Sequence, residues 1–390
     1  PESLAPFFYL NKRDRKNIYI FSTEKEALEF YNNFSNFVPE ASHFPAWDTL
    51  SYDSFTPSLE IQGKRLQTLH NLLVMESFDI AMSMKSFTQK IFINDLDVID
   101  MQIGQEVDFE NLIENLAFLR YVNKDRVESR GTFSIRGGQI DIYPLNSEYP
   151  IRIIFNGDEV VELKLFDYIT QRSIKNIKKV LITPSSELFQ TNQEDIYKSL
   201  EIESKKDLDE YELFQYSQNL ENYNSLLDFV PDDISINIID LNSCKEVFTE
   251  LQKIEDDSFN NLQKFFSLNV SKMKSRYVDT LKEINKFETI FYATNDLENI
   301  SNVPQFLDGL SADNVLQKIN NLAKVYLSSS NEKITEKFSG ITNLQIAEHP
   351  FSYSAVFPEM SIAVIDESLF TNRKPKDKKV KHRKLNEESI

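Results

Sequence analysis

A chain of 390 residues, 41% hydrophobic and 12% aromatic, is too long for one compact core and predicts about two to four domains. Acidic residues outnumber basic ones 61 to 43, giving a net charge of −18; a field of that sign repels phosphate backbones, which argues against strong nucleic-acid binding by the whole chain and favours a protein partner. A single cysteine, Cys244, excludes an internal disulfide and fits a reducing compartment, and no run of about 18 apolar residues is available to cross a bilayer.

The chain starts at Pro1 without an initiator Met or a signal-peptide pattern, so it is expected to be a cytoplasmic fragment or processed product. Residues 17–21, NIYIF, have strand composition. Thr23 and Glu26 then form a capping box before Leu28, Tyr31 and Phe34 at helical spacing. Strand followed by capped helix opens an α/β layer. The aromatic stretch HFPAWDTLSYDSFTP (43–57) holds the only tryptophan, Trp47, and a helix is predicted from Leu59 to Met75.

Near Met101 the pattern changes. Asp108 caps a helix carrying Phe109, Leu112, Ile113, Leu116 and Leu119. Period-2 runs follow at 132–136, 139–143, 151–155 and 160–166, separated by turn residues, which predicts a small α+β domain. The chain is then helical and acidic to about residue 260, with one strand at 234–240. A further α/β set starts near Leu281, with strands expected at 289–294, 324–330, 343–349 and 360–368. The end, NRKPKDKKVKHRKLNEESI, is basic and then polar. It reads as a disordered linker, with contact to nucleic acid as the other reading of its basic run, 373–384.

Catalytic signatures are missing. The string closest to a phosphate-binding loop, Gly63-Lys64-Arg65, lacks the earlier glycine and the hydroxyl and sits inside a predicted helix. Asp366 and Glu367 follow an apolar strand as a magnesium-holding pair would, or they simply cap the next helix. His43, His70, His349 and His382 are far apart, and one cysteine makes no zinc cluster. No metal site or resident cofactor is expected.

Glycine, by contrast, is concentrated. Of eight in the chain, Gly131, Gly137 and Gly138 fall within RGTFSIRGGQIDIYP (130–144). Gly137-Gly138 allow a sharp reversal. Alternation then puts Arg136 at a rigid corner facing outward, and Arg152 outward on the next strand beside it. Two such arginines would anchor carboxylates of a partner. The alternative is an ordinary solvated strand face, with pairing to Asp141 or Glu162.

Two stretches carry a family resemblance. HFPAWDTLSYDSFTPSLEIQGKRLQTLHNLL, and RGTFSIRGGQIDIYPLNSEYPIRIIFNGDEVVELKLFDYITQRS, resemble in order and spacing the corresponding motifs of the bacterial transcription-repair coupling factor family, Mfd. The resemblance covers that family's N-terminal third, the part similar to UvrB. It implies a degenerate helicase-like α/β domain, of the P-loop type without a P-loop (1–100 and 184–275), with an inserted α+β UvrA-binding domain (101–183). A further α/β domain (276–372) and a basic flexible linker (373–390) follow.

The same resemblance implies a non-catalytic module that recruits UvrA to stalled RNA polymerase in nucleotide excision repair and clamps its own motor domains. UvrA-facing residues carried over are Arg136, Arg152 and Phe155; Asn156 stands where some members have a second Phe. ATP and magnesium, and the contacts to polymerase and DNA, belong to domains beyond this stretch. A UvrB-like ATP-dependent damaged-DNA-binding subunit is the alternative. It is disfavoured because the segment after Tyr52 runs straight into the 59–75 helix and leaves no room for a DNA-gripping hairpin.

Overall fold

The computed structural model describes residues 16–53, 55–203, 206–270 and 273–292. It further describes Ala5, Phe8 and Tyr9, and residues 305–307, 310–347, 349–351, 354–357 and 361–371. The expected basic linker lies outside the described residues. The chain divides into two compact units: Arg13–Leu28 with Ala41–Thr294, and Pro1–Lys12 with Glu29–Glu40 and Asn295–Ile390.

In the larger unit, β1 (Asn17–Phe21), β2 (Ser42–Phe44) and β3 (Asp79–Ser83) start a parallel sheet. Every residue of β1 and β3 is buried, as continuous apolar runs covered on both faces must be. The chain then leaves this sheet through β4 (Ile99–Gln102) and builds β5 (Val122–Asn123), β6 (Thr132–Ile135), β7 (Gln139–Ile142), β8 (Ile151–Asn156), β9 (Glu159–Phe166) and β10 (Ser173–Ile177). It returns through β11 (Lys179–Ile182), which pairs antiparallel with β4 from Ile99↔Ile182 to Gln102↔Lys179. That two-stranded ribbon is the stem of the inserted domain. Its six strands lie in the order β10-β9-β8-β7-β6-β5, and only the short β5–β6 pair is parallel.

After the insertion, β12 (Ser235–Ile239) and β13 (Glu288–Tyr292) complete the first sheet, in the order β13-β12-β1-β3-β2 with all pairs parallel. Residues 289–292 were expected to open the later α/β set. They pair instead with β12, because register to a distant strand, not local composition, decides which sheet a strand joins.

The smaller unit holds β14 (Gln305–Phe306), β15 (Lys324–Ser328), β16 (Leu344–Ile346), β17 (Ala355–Phe357) and β18 (Ile362–Asp366), ordered β14-β17-β18-β15-β16. Val315, Ile319, Ile334 and Phe338 from two helices pack on Val325, Leu327, Ala363 and Ile365. Its acidic pair is used locally: Asp366 caps the Ser368 amide at 2.9 Å, and Glu367 accepts from the Ser330 amide (2.8 Å) and the Ser329 hydroxyl (3.0 Å). The whole is a mixed α/β protein with parallel sheets.

Candidate partner-docking surface

The glycine corner is a two-residue hairpin between β6 and β7. Arg136 and Gln139 close it with reciprocal backbone bonds of 2.9 and 3.2 Å. The two glycines serve different ends. Gly137 has φ +58°, where a side chain is strained. Gly138 lacks that strain, but a Cβ there would lie 3.1 Å from the Phe155 carbonyl oxygen. The Phe155 amide donates to the Gly138 carbonyl at 2.8 Å, so the β7–β8 ladder runs on alongside the corner.

Register then sorts the side chains. Ile140 stands opposite Ile135 and Ile153, and Ile153 opposite Leu163. This inner row joins Leu112 and Leu116 of the Phe109–Phe118 helix in the core. Phe155 belongs to the same set. It is only 8% exposed and meets Phe109 edge-to-face at 5.1 Å. It therefore offers no surface to a partner, contrary to expectation. Parity is the reason: Ile151, Ile153 and Phe155 are buried, and the next outward position is the exposed Asn156.

On the opposite face, Ser134, Asp141, Arg152 and Lys164 stand in one row across four strands. Arg152 is outward, as expected, but it is already engaged. Its Nε and Nη2 each donate to a carboxylate oxygen of Asp141 at 2.8 Å, and its guanidinium lies 4.7 Å from the Phe166 ring centroid. The Asp141 hydrogen bonds push the arginine's pKa above its ordinary value. Asp141 is 2% exposed and also accepts from Gln139 Nε2 at 2.9 Å. Of the two pairings open from the sequence, Asp141 is the one formed; Glu162 pairs with Lys164.

Arg136 differs. It is exposed, and its Nη2 donates 2.8 Å to the carbonyl of Asp125, not to a carboxylate. It shares Arg152's face but stands two strands away, so roughly 10 Å of sheet separates their backbones. The expected side-by-side pair is thus one ion-paired arginine and one open arginine.

The base of the inserted domain is fixed by buried polar contacts that sequence reasoning missed. Glu187, just past β11, accepts from Arg65 Nε (2.8 and 3.0 Å) and from Trp47 Nε1 (2.8 Å). All three side chains are buried, with the Arg65 guanidinium 4.3 Å from the Phe44 ring centroid. Gly63 lies against Leu145, where an added Cβ would come within 2.4 Å of the carbonyl oxygen. Gly63 and Arg65 are thus packing and tethering residues.

The family described as the UvrB interaction domain has a model that matches residues 99–188, from the first strand of the stem to one residue past Glu187. The chain is 29% identical to the transcription-repair-coupling factor of Escherichia coli over 168 residues, 42% of this chain and 14% of that protein. It is 26% identical to that of Bacillus subtilis over 252 residues, 56% of this chain and 21% of the relative. The UvrABC system protein B of Thermosipho africanus is 26% identical over 195 residues, 49% of this chain and 29% of the relative. In each case the match spans less than a third of the relative's length. Residues 99–188 thus match the UvrB interaction domain family, in a chain that is similar to transcription-repair-coupling factors.

Proposed function

We propose that this chain is a recruiting module of transcription-coupled nucleotide excision repair and that its inserted domain binds UvrA. The observation that carries the reading is Arg136: an open guanidinium held at a glycine corner of the domain that matches the UvrB interaction family. Arg152 contributes through the N–H groups that Asp141 leaves free, oriented in advance by the ion pair. The flanking parallel-sheet domain acts as a degenerate, non-catalytic helicase-like scaffold. In the whole protein the same surface contacts the motor domains in the resting state, and recruitment is coupled to stalled RNA polymerase elsewhere in the chain.

Arg136→Ala is expected to weaken co-elution with purified UvrA strongly, with an unchanged melting temperature, since truncating a central interface arginine typically costs about 2 kcal/mol or more. Undiminished binding would sink the reading. DNA-stimulated ATP hydrolysis by the 390-residue chain would favour a UvrB-like enzyme instead.

A further inference from the structure

With Phe155 in the core, the docking face needs another apolar component, and the loop between β9 and β10 offers one. Tyr168 is 39% and Ile169 62% exposed, yet the loop beneath them is tightly held. Asp167 accepts from the Thr170 amide at 2.6 Å and its hydroxyl at 2.8 Å, and the Gln171 amide donates to the Asp167 carbonyl at 2.7 Å. Gln171 Nε2 donates to the Tyr168 carbonyl at 2.7 Å. The Tyr168 ring leans on Tyr143 at 6.0 Å, and Tyr143 is buried with Val127 and Phe166.

Arg126 connects this loop to the arginine corner. Its Nη2 donates 2.8 Å to the Ile169 carbonyl, while the carbonyl of the preceding residue, Asp125, receives Arg136. Asp141 holds Arg152 and Asp167 holds Thr170, while Glu128 makes a loose, solvent-exposed ion pair with Arg126 at 3.5 Å that a partner's carboxylate can replace. An ordered apolar pair thus adjoins two exposed guanidiniums, each donating to a carbonyl oxygen and one of them, Arg126, also in a loose ion pair with Glu128.

We propose that Tyr168 and Ile169, with Arg126 and Arg136, form one anchor site for an acidic protein segment that presents an apolar side chain flanked by carboxylates. Preordering matters, because a partner that meets a pinned loop loses less conformational entropy on docking. A protein fits better than nucleic acid. The most exposed apolar side chain, Ile169, is aliphatic and gives a nucleobase no ring to stack on. The inference rests on the recruiting reading above and adds its apolar half.

The test titrates purified UvrA against the 390-residue chain and its Ile169→Ser, Arg126→Gln and Arg136→Ala variants, each checked for an unchanged melting temperature. Ile169 is exposed and its side chain makes no hydrogen bond, so Ile169→Ser isolates the apolar contact even if Arg126→Gln loosens the loop. The expected result is a roughly tenfold weaker affinity for Ile169→Ser and for Arg126→Gln. If Arg136→Ala weakens binding while Ile169→Ser binds like wild type, the anchor site is overturned and the recruiting reading stands. If wild type fails to bind, or all variants bind equally, both fall. Competition for the site by a short oligonucleotide in place of an acidic peptide would also overturn it.

Discussion

Asp141 and Arg152 face each other across β7 and β8 and share two parallel hydrogen bonds of 2.8 Å. The carboxylate is buried, and the guanidinium covers the Phe166 ring. Such a fork fixes an arginine in place while cancelling much of its charge. Arg152 is thus a positioned donor, and Arg136 carries the open charge.

Asp141→Asn should therefore act first on stability. An amide cannot reproduce the charged fork, and the change leaves Arg152 without its counter-charge, at a cost of about 1.5–3 kcal/mol. The urea midpoint should fall accordingly, with UvrA affinity changing less than for Arg136→Ala. An unchanged midpoint would mean that the pair adds nothing to the fold.

Gly63→Ala probes the seat of the inserted domain. The new methyl would meet backbone atoms of Leu145 at 2.4 and 2.6 Å, distances that neither a helix nor a turn can absorb without moving. Overpacking of this kind costs typically about 1–3 kcal/mol, and the upper end is expected because the clash is with main chain. Denaturant unfolding measures it, and wild-type stability in this variant would refute the close approach.

Much of this was legible in the sequence, and the parts that were not share a cause. The period-2 runs located the inserted sheet because one of its faces is a continuous core, so alternation carries the signal. The same alternation could have placed Phe155: if Arg152 faces outward between Ile151 and Ile153, Phe155 must face inward. The family likeness suggested a partner-facing aromatic, and local parity decided otherwise. Arg126 and Ile169 lie in loops, where no period marks a face. The two motifs behind the resemblance meet where Gly63 packs on Leu145; the Trp47–Glu187 bond, whose residues lie 140 positions apart, is a second joint, beyond any local pattern.

Arg65→Ala would break that joint from inside. It leaves the buried Glu187 carboxylate with the Trp47 indole as its one remaining side-chain donor among the described residues. Removing one partner of a buried ion pair costs about 3–5 kcal/mol. As the only tryptophan, Trp47 reports the change directly. Its native emission should be blue-shifted by burial and should move to the red in the variant under mild denaturant, ahead of wild type. A variant as stable as wild type, with unchanged emission, would show that the joint contributes little.

Lys90 gives the pH test. It is 4% exposed, its Nζ donates to the Gln218 carbonyl at 2.8 Å, and it sits 4.4 Å from the Tyr223 ring centroid. Burial pushes its pKa down to about 8, with the Glu255 charge opposing and the Lys274 charge assisting. In the unfolded chain a lysine titrates at about 10.4. Between those values the unfolded state holds a proton that the native state has lost, so raising pH favours folding through that window. Above it the contribution is complete; as pH falls through about 8, the native state must bury an ammonium and the contribution is lost. Lys90→Met removes the titration. The variant should be more stable than wild type near neutral pH, and its advantage should shrink as the solution approaches about pH 10. Urea midpoints of both proteins across that range decide it: a difference that stays constant with pH would mean that Lys90 keeps its ordinary pKa in the folded protein.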